Sequence, residues 1–143
     1  MKNKMLLIAL GVSFFGAMII GLLSTEMVSA QECRLITVRG SSQHPEFFLE
    51  PGTSYINKGD CVVWFNRVHE GEITVSFKDG KTCLEVTKSP MGFKLDQQNC
   101  YVTSWISFGG TSSLRFMEKG TYKYSVRGKA GGGIPAEGQI VVE

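Results

Sequence analysis

Histidine is scarce: His44 and His69 are the only two in 143 residues, and four cysteines accompany them. Nucleophilic catalysis needs a base beside a serine or a thiol, and with so little imidazole and cysteines expected to be oxidised no triad emerges. The chain therefore reads as a non-enzyme. An excess of one charge is missing too. The formal net charge is +2, and removing Lys2, Lys4 and Glu26 with a leader leaves 13 basic against 12 acidic residues. No basic stripe runs along the sequence, so nothing in it points to nucleic acid or to an anionic membrane surface. Helical periodicity is absent after residue 30, as are internal repeats and any linker that would divide the chain. The glycines from Gly128 to Gly138 lie between expected strands and lack a Gly-Lys-Ser/Thr ending, which excludes a phosphate cradle.

Long apolar runs are lacking except for one, Met5 to Leu23. Lys2 and Lys4 precede it and Val28-Ser29-Ala30 follow, which are the three parts of an export signal cut before Gln31. We expect a signal peptide over residues 1–30, one domain over 31–143, and a periplasmic or extracellular location. The run exceeds the ~7 to 15 residues of a usual signal core and nears the ~20 that span a bilayer, so an uncleaved leader would anchor the domain. Gly11, Ser13, Gly16 and Gly21 weaken such a span and favour cleavage.

Cys33, Cys61, Cys83 and Cys100 all follow the cut. An even count in an oxidising compartment reads as two disulfides, with three possible connectivities. A four-thiolate zinc site would need close C-x(2-4)-C pairs, and there are none.

What the chain has in quantity is alternation. At 43% hydrophobic and 20% charged, it is composed for one ordinary globular domain. Pro51 to Phe77 reads as a strand, a Lys58-Gly59-Asp60 turn, a strand with Val62 and Trp64 facing one way, a short loop, and a strand with Ile73, Val75 and Phe77 facing inward. Cys33 to Arg39 alternates before it, with Gly40 to Pro45 as punctuation. After it come a Lys78 to Lys81 hairpin turn, a short strand at Leu84 and Val86, a loop at Ser89-Pro90-Met91-Gly92, and a returning strand from Tyr101 to Ile106. Phe108-Gly109-Gly110 and Lys119-Gly120 are turns. Leu114 with Phe116, Tyr122 with Tyr124 and Val126, and Ile140 with Val142 supply the last strands. Short strands with turn signals every eight to twelve residues mean an all-β, mostly antiparallel sandwich or barrel. Trp64, Trp105, Tyr122 and Tyr124 alternate with polar residues as core positions do, and Tyr122, two residues after Gly120, also suits a tyrosine corner.

Pro51, Gly59-Asp60 and Val62-x-Trp64-x-Asn66 together resemble the signature of the cupredoxins, the plastocyanin and pseudoazurin family of small secreted copper proteins. Leu114-x-Phe116, Gly120-Thr121-Tyr122-x-Tyr124 and Gly138-Gln139-Ile140-Val141-Val142 are similar to the family's last two strands. The resemblance implies a cupredoxin-like Greek-key β-sandwich. It also implies a first strand parallel to the Cys61–Asn66 strand, and hence Cys33 bridged to Cys61 and Cys83 to Cys100. Carried over, the family's copper ligands are gone. The first His position falls on Glu72 or Ile73, the Cys position on Val126, and the loop RGKAGGGIPAEG after it holds no His, Cys or Met. A blue site needs a thiolate and two imidazoles. Cys61, about five residues at ~3.3 Å down its strand, would lie some ~16 Å from that end.

Two functional expectations follow. The first is a non-catalytic binding or structural module of the cell envelope, without cofactor. It would meet an unidentified envelope protein or surface ligand through Arg67 to Gly71 and Arg127 to Gly138, where exposed loops sit on a rigid scaffold. The alternative is a copper carrier or electron-transfer protein with a rearranged site of His69, Glu72 and Met117, the sulfur contributing only if the strand ends bring it close. Surface histidine among surface acids is the plainer reading of His69, Glu70 and Glu72, and His44 reads as a turn residue. An immunoglobulin-like adhesive sandwich is a third reading.

Overall fold

A computed structural model describes residues 32–41, 44–77, 86–129 and 134–143. The expected leader, the hairpin turn at Lys78 to Lys81, and Cys83 with Leu84 lie outside these. All elements of the described residues are strands: β1 Cys33–Ser41, β2 His44–Glu50, β3 Thr53–Ile56, β4 Cys61–His69, β5 Ile73–Phe77, β6 Thr87–Met91, β7 Phe93–Leu95, β8 Tyr101–Thr103, β9 Thr111–Phe116, β10 Gly120–Gly128 and β11 Ala136–Val142. They form two sheets, ordered β2-β1-β4-β9-β6 and β3-β11-β10-β5-β8-β7. The pairs β1–β4 and β3–β11 are parallel and the other strand pairs antiparallel.

Alternation decides which side chains meet between the sheets, because successive Cβ atoms point to opposite faces. In β4, Val62, Trp64, Asn66 and Val68 point inward and are buried, while Val63, Phe65 and Arg67 point out. In β5, Ile73, Val75 and Phe77 are buried. Trp64 is the hub: its ring centroid lies 5.9 Å from Phe77, 5.4 Å from Phe93 and 5.4 Å from Tyr124, each edge-on. Edge-on rings add roughly 0.5–1.5 kcal/mol per pair beyond burial. Gly138 is required beside them, since a Cβ there would come within 2.3 Å of the Tyr124 hydroxyl.

Cys33 stands opposite Cys61 in the parallel β1–β4 ladder and is bridged to it, with Cα atoms 4.5 Å apart. The bridge pins the start of the chain's first strand to the central strand of its sheet. Cys100 is buried. Tyr122 donates from its hydroxyl to the Glu118 carbonyl at 2.9 Å, which is the tyrosine corner.

Several local expectations are corrected. Ser89, Pro90 and Met91 are not a loop but part of β6, an edge strand with a bulge between Lys88 and Met91, where the missing proline N–H breaks no ladder. Gly40 does not end the first strand; β1 runs to Ser41, which pairs with His44 at the start of β2. The returning strand stops at Thr103, beyond which only Ile106 pairs, with Ile73. Trp105 is not core but 46% exposed. The Gly-rich segment is shortened because β10 continues to Gly128 and β11 begins at Ala136.

Candidate functional site at the loop end of the sandwich

The connections from β4 to β5, β8 to β9 and β10 to β11 emerge at one end, where Ser41 at the end of β1 also pairs with His69. Asn66, the last inward polar residue of β4, is fully buried and ties the first two together. Its amide Nδ2 donates to the Gly71 carbonyl at 2.9 Å and to the Ile106 carbonyl at 2.7 Å, and its Oδ1 accepts from the Val68 N–H at 2.8 Å. The Val68–Gly71 turn closes with a backbone bond of 3.1 Å, with Glu70 at φ 54°. A Cβ at Gly71 would come within 2.6 Å of Val68 Cγ1, so only glycine fits that turn.

Glu72 adds the third connection. Its carboxylate accepts from the Lys129 ammonium and, at 3.2 Å, from the Ser107 hydroxyl, while its carbonyl accepts from the Lys129 N–H at 2.9 Å. The Lys129 ammonium beside it holds its carboxyl below the usual range; partial desolvation works the other way, and Ser107 reinforces Lys129. Glu72 is thus engaged as a staple between loops.

The positions implied for copper ligands are now placed. Val126 pairs with Val75 and Gly128 with Ile73 on adjacent strands, and Ile73, Val75 and Val126 are all fully buried in one apolar layer. Where the resemblance puts a thiolate stands Val126, and where it puts the first imidazole stands Ile73, also hydrocarbon, or Glu72, whose carboxylate is bound to Lys129 and Ser107. The residues present do not fit a blue copper ion.

Nor does the alternative set come together. His69 ends β4, exposed, its ring 6.5 Å from that of Phe108. Met117 follows β9, whose Phe116 N–H bonds to Asp60, before the start of β4. The length of β4 separates the two, about 26 Å for eight residue steps at ~3.3 Å. Met117 is therefore at the wrong end to support His69, a placement that a linear reading left open. His44 begins β2 rather than lying in a turn. Among the described residues, no group of three or more His, Cys, Asp or Glu side chains stands where it could hold a metal ion.

What sequence reading passed over at this end is its apolar surface. Phe108 is 60% and Ile134 82% exposed, on loops beside the exposed Trp105 and His69. Phe108 counts in the sequence as part of a Phe-Gly-Gly turn, and nothing in its neighbours marks it as outward.

No family model matches the chain, and no curated protein matches it. Solved structures do. A purple cupredoxin from Nitrosopumilus maritimus superimposes with a TM-score of 0.52 at 18% identity, covering 77% of this chain and 99% of that one. A reduced single-substitution mutant of amicyanin does so with a TM-score of 0.50 at 18% identity, covering 80% and 85%. Taken with the two-sheet topology, these likenesses establish that the chain has a cupredoxin-like β-sandwich fold.

Proposed function

We propose that the chain is an exported, non-catalytic binding module of the cell envelope whose contact surface is the loop end, formed by Arg67 to Gly71, Ile106 to Gly110 and Arg127 to Gly138. The observation that carries this reading is the pairing of a rigid base with an exposed tip. Asn66 holds the β4–β5 and β8–β9 connections in one arrangement, Glu72 fastens Ser107 and Lys129 beside them, and Phe108 and Ile134 are exposed to solvent. Connections held before contact, as these two are, lose little freedom on binding, and exposed apolar side chains supply the area that contact buries. The Cys33–Cys61 bridge suits an oxidising compartment outside the cytoplasm.

A photo-crosslinking residue placed at position 108, and separately at position 121 at the far end of β10, tests it in cells that export the protein. Adducts to an envelope protein from position 108 and none from 121 are the expected result. No adduct from 108, or equal labelling from both, would contradict a loop-end contact.

A further inference from the structure

The outward face of the β2-β1-β4-β9-β6 sheet is not the polar surface that a solvated sheet face usually presents. Leu35 pairs with Val63 and Thr37 with Phe65 across the β1–β4 ladder, placing an apolar centre on the outside. Val63 and Phe65 are half-buried and Leu35 is 49% exposed. Two more apolar side chains flank them at opposite edges, Phe48 on β2 at 61% and Met91 on β6 at 69% exposure. Outward positions of the other sheet are more polar, with Thr53 beside Gln139, Gln139 beside Lys123 and Ser125 beside Ser76, and its exposed aromatic, Tyr55, lies on the edge strand β3 opposite Val141.

The register also assembles charge that no linear run contains. Arg39 pairs with Arg67, and Lys88 with Arg115, so four strands each place one cation on this face. Its carboxylates are Glu46 and Glu50, both on the edge strand β2, and Glu50 is bound to Arg39 at 3.0 Å. Four cations against two carboxylates surround an apolar centre.

We propose that this sheet face rests on an anionic lipid surface, with Phe48, Leu35 and Met91 reaching the headgroup boundary and Arg67, Lys88 and Arg115 facing lipid phosphates. Apolar side chains set among basic ones are what interfacial binding requires. A bilayer is favoured over a protein partner because the apolar contacts protrude at both edges of a broad sheet rather than lining a hollow. A cleft of about 430 Å³ is on the other sheet, lined by Thr53, Lys123 and Gln139. The inference rests on the sheet face rather than on the loop end, the two sharing only Arg67 at their border, and would set the direction in which that end points.

Co-flotation of the exported protein, purified with its leader removed, with phosphatidylcholine vesicles, with and without phosphatidylglycerol, tests it. A retained leader would hold both vesicles alike and mask the gain from phosphatidylglycerol, so its removal is checked by mass before flotation. We expect a gain of roughly tenfold to thirtyfold at low salt for a net two charges, lost at molar salt and in Arg67→Glu/Lys88→Glu. Both substituted residues are exposed, so the fold is retained, and Phe48→Ser/Met91→Ser checks the apolar part by lowering the gain severalfold. Equal partitioning to the two vesicles overturns the proposal. So does a gain unchanged in the charge variant, or an envelope protein crosslinked through Phe48 while lipid has no effect.

Discussion

Val126 lies directly across from Val75 on the neighbouring strand, and neither side chain is exposed at all. The resemblance places a metal-binding thiolate at Val126; the structure makes that position an ordinary member of a hydrocarbon layer continuous with Ile73. The loop end of this cupredoxin-like sandwich is held by the Asn66 clamp and packed with hydrocarbon beneath it.

That clamp predicts a measurable local cost. Asn66→Ala would leave the Gly71 carbonyl and the Val68 N–H without their partner, each loss costing roughly 1–3 kcal/mol when buried, while the Ile106 carbonyl keeps the Ile73 N–H at 3.0 Å. We expect about 2 kcal/mol or more of lost stability in urea unfolding. Amide exchange should accelerate first at Val68 and Gly71. A loss under 1 kcal/mol would show that the loops hold themselves.

The disulfide predicts a second. Cys33 and Cys61 are 28 residues apart, and closing a loop of that length stabilises by about 3–4 kcal/mol in the chain-entropy account. The Cys33→Ser/Cys61→Ser variant should lose that much in denaturant titration without changing the native sheet signal in circular dichroism.

Much of the framework was legible because burial and alternation coincide there. Val62 and Trp64, then Ile73, Val75 and Phe77, face the core as their spacing requires. What was not legible has physical reasons. Pro90 reads as punctuation, yet an edge strand with a bulge does not need its N–H. Trp105 reads as core by its hydrophobicity, but it sits next to an isolated bridge at a strand's frayed end. Met117 and His69 are both at strand termini, and only the antiparallel pairing of β4 with β9 reveals that these are opposite ends. The basic and apolar face is spread over several strands, so no window of sequence contains it.

Tyr124 predicts a pH dependence. Burial pushes its hydroxyl up to about 12, and the neighbouring Trp64 indole N–H, which makes no hydrogen bond to it, offsets part of this. The unfolded phenol ionises near its ordinary value of about 10 while the folded one stays protonated, so the folded state holds more protons. Stability is then full below pH ~10 and falls as pH rises toward ~12, by on the order of 3 kcal/mol in total. Tyr124→Phe should flatten this alkaline decline. At neutral pH it should be neutral or stabilising, since it deletes a buried hydroxyl lacking a good partner.

Gly138 gives a steric prediction. Gly138→Ala forces a methyl against the Tyr124 oxygen and ring, and overpacking of this kind typically costs about 1–3 kcal/mol. Thermal unfolding should shift down by several degrees, whereas Gly109→Ala, where nothing lies within 4 Å but φ is 78°, should cost only backbone strain of about 1 kcal/mol.

Copper titration of the purified protein, with Cu(II) and Cu(I) followed by visible absorption and binding heat, bears most directly on the central claim. With Val126 at the Cys position and Glu72 or Ile73 at the first His position, no intense visible band and no tight stoichiometric binding should appear. Tight one-to-one binding, abolished by His69→Ala, would contradict the account.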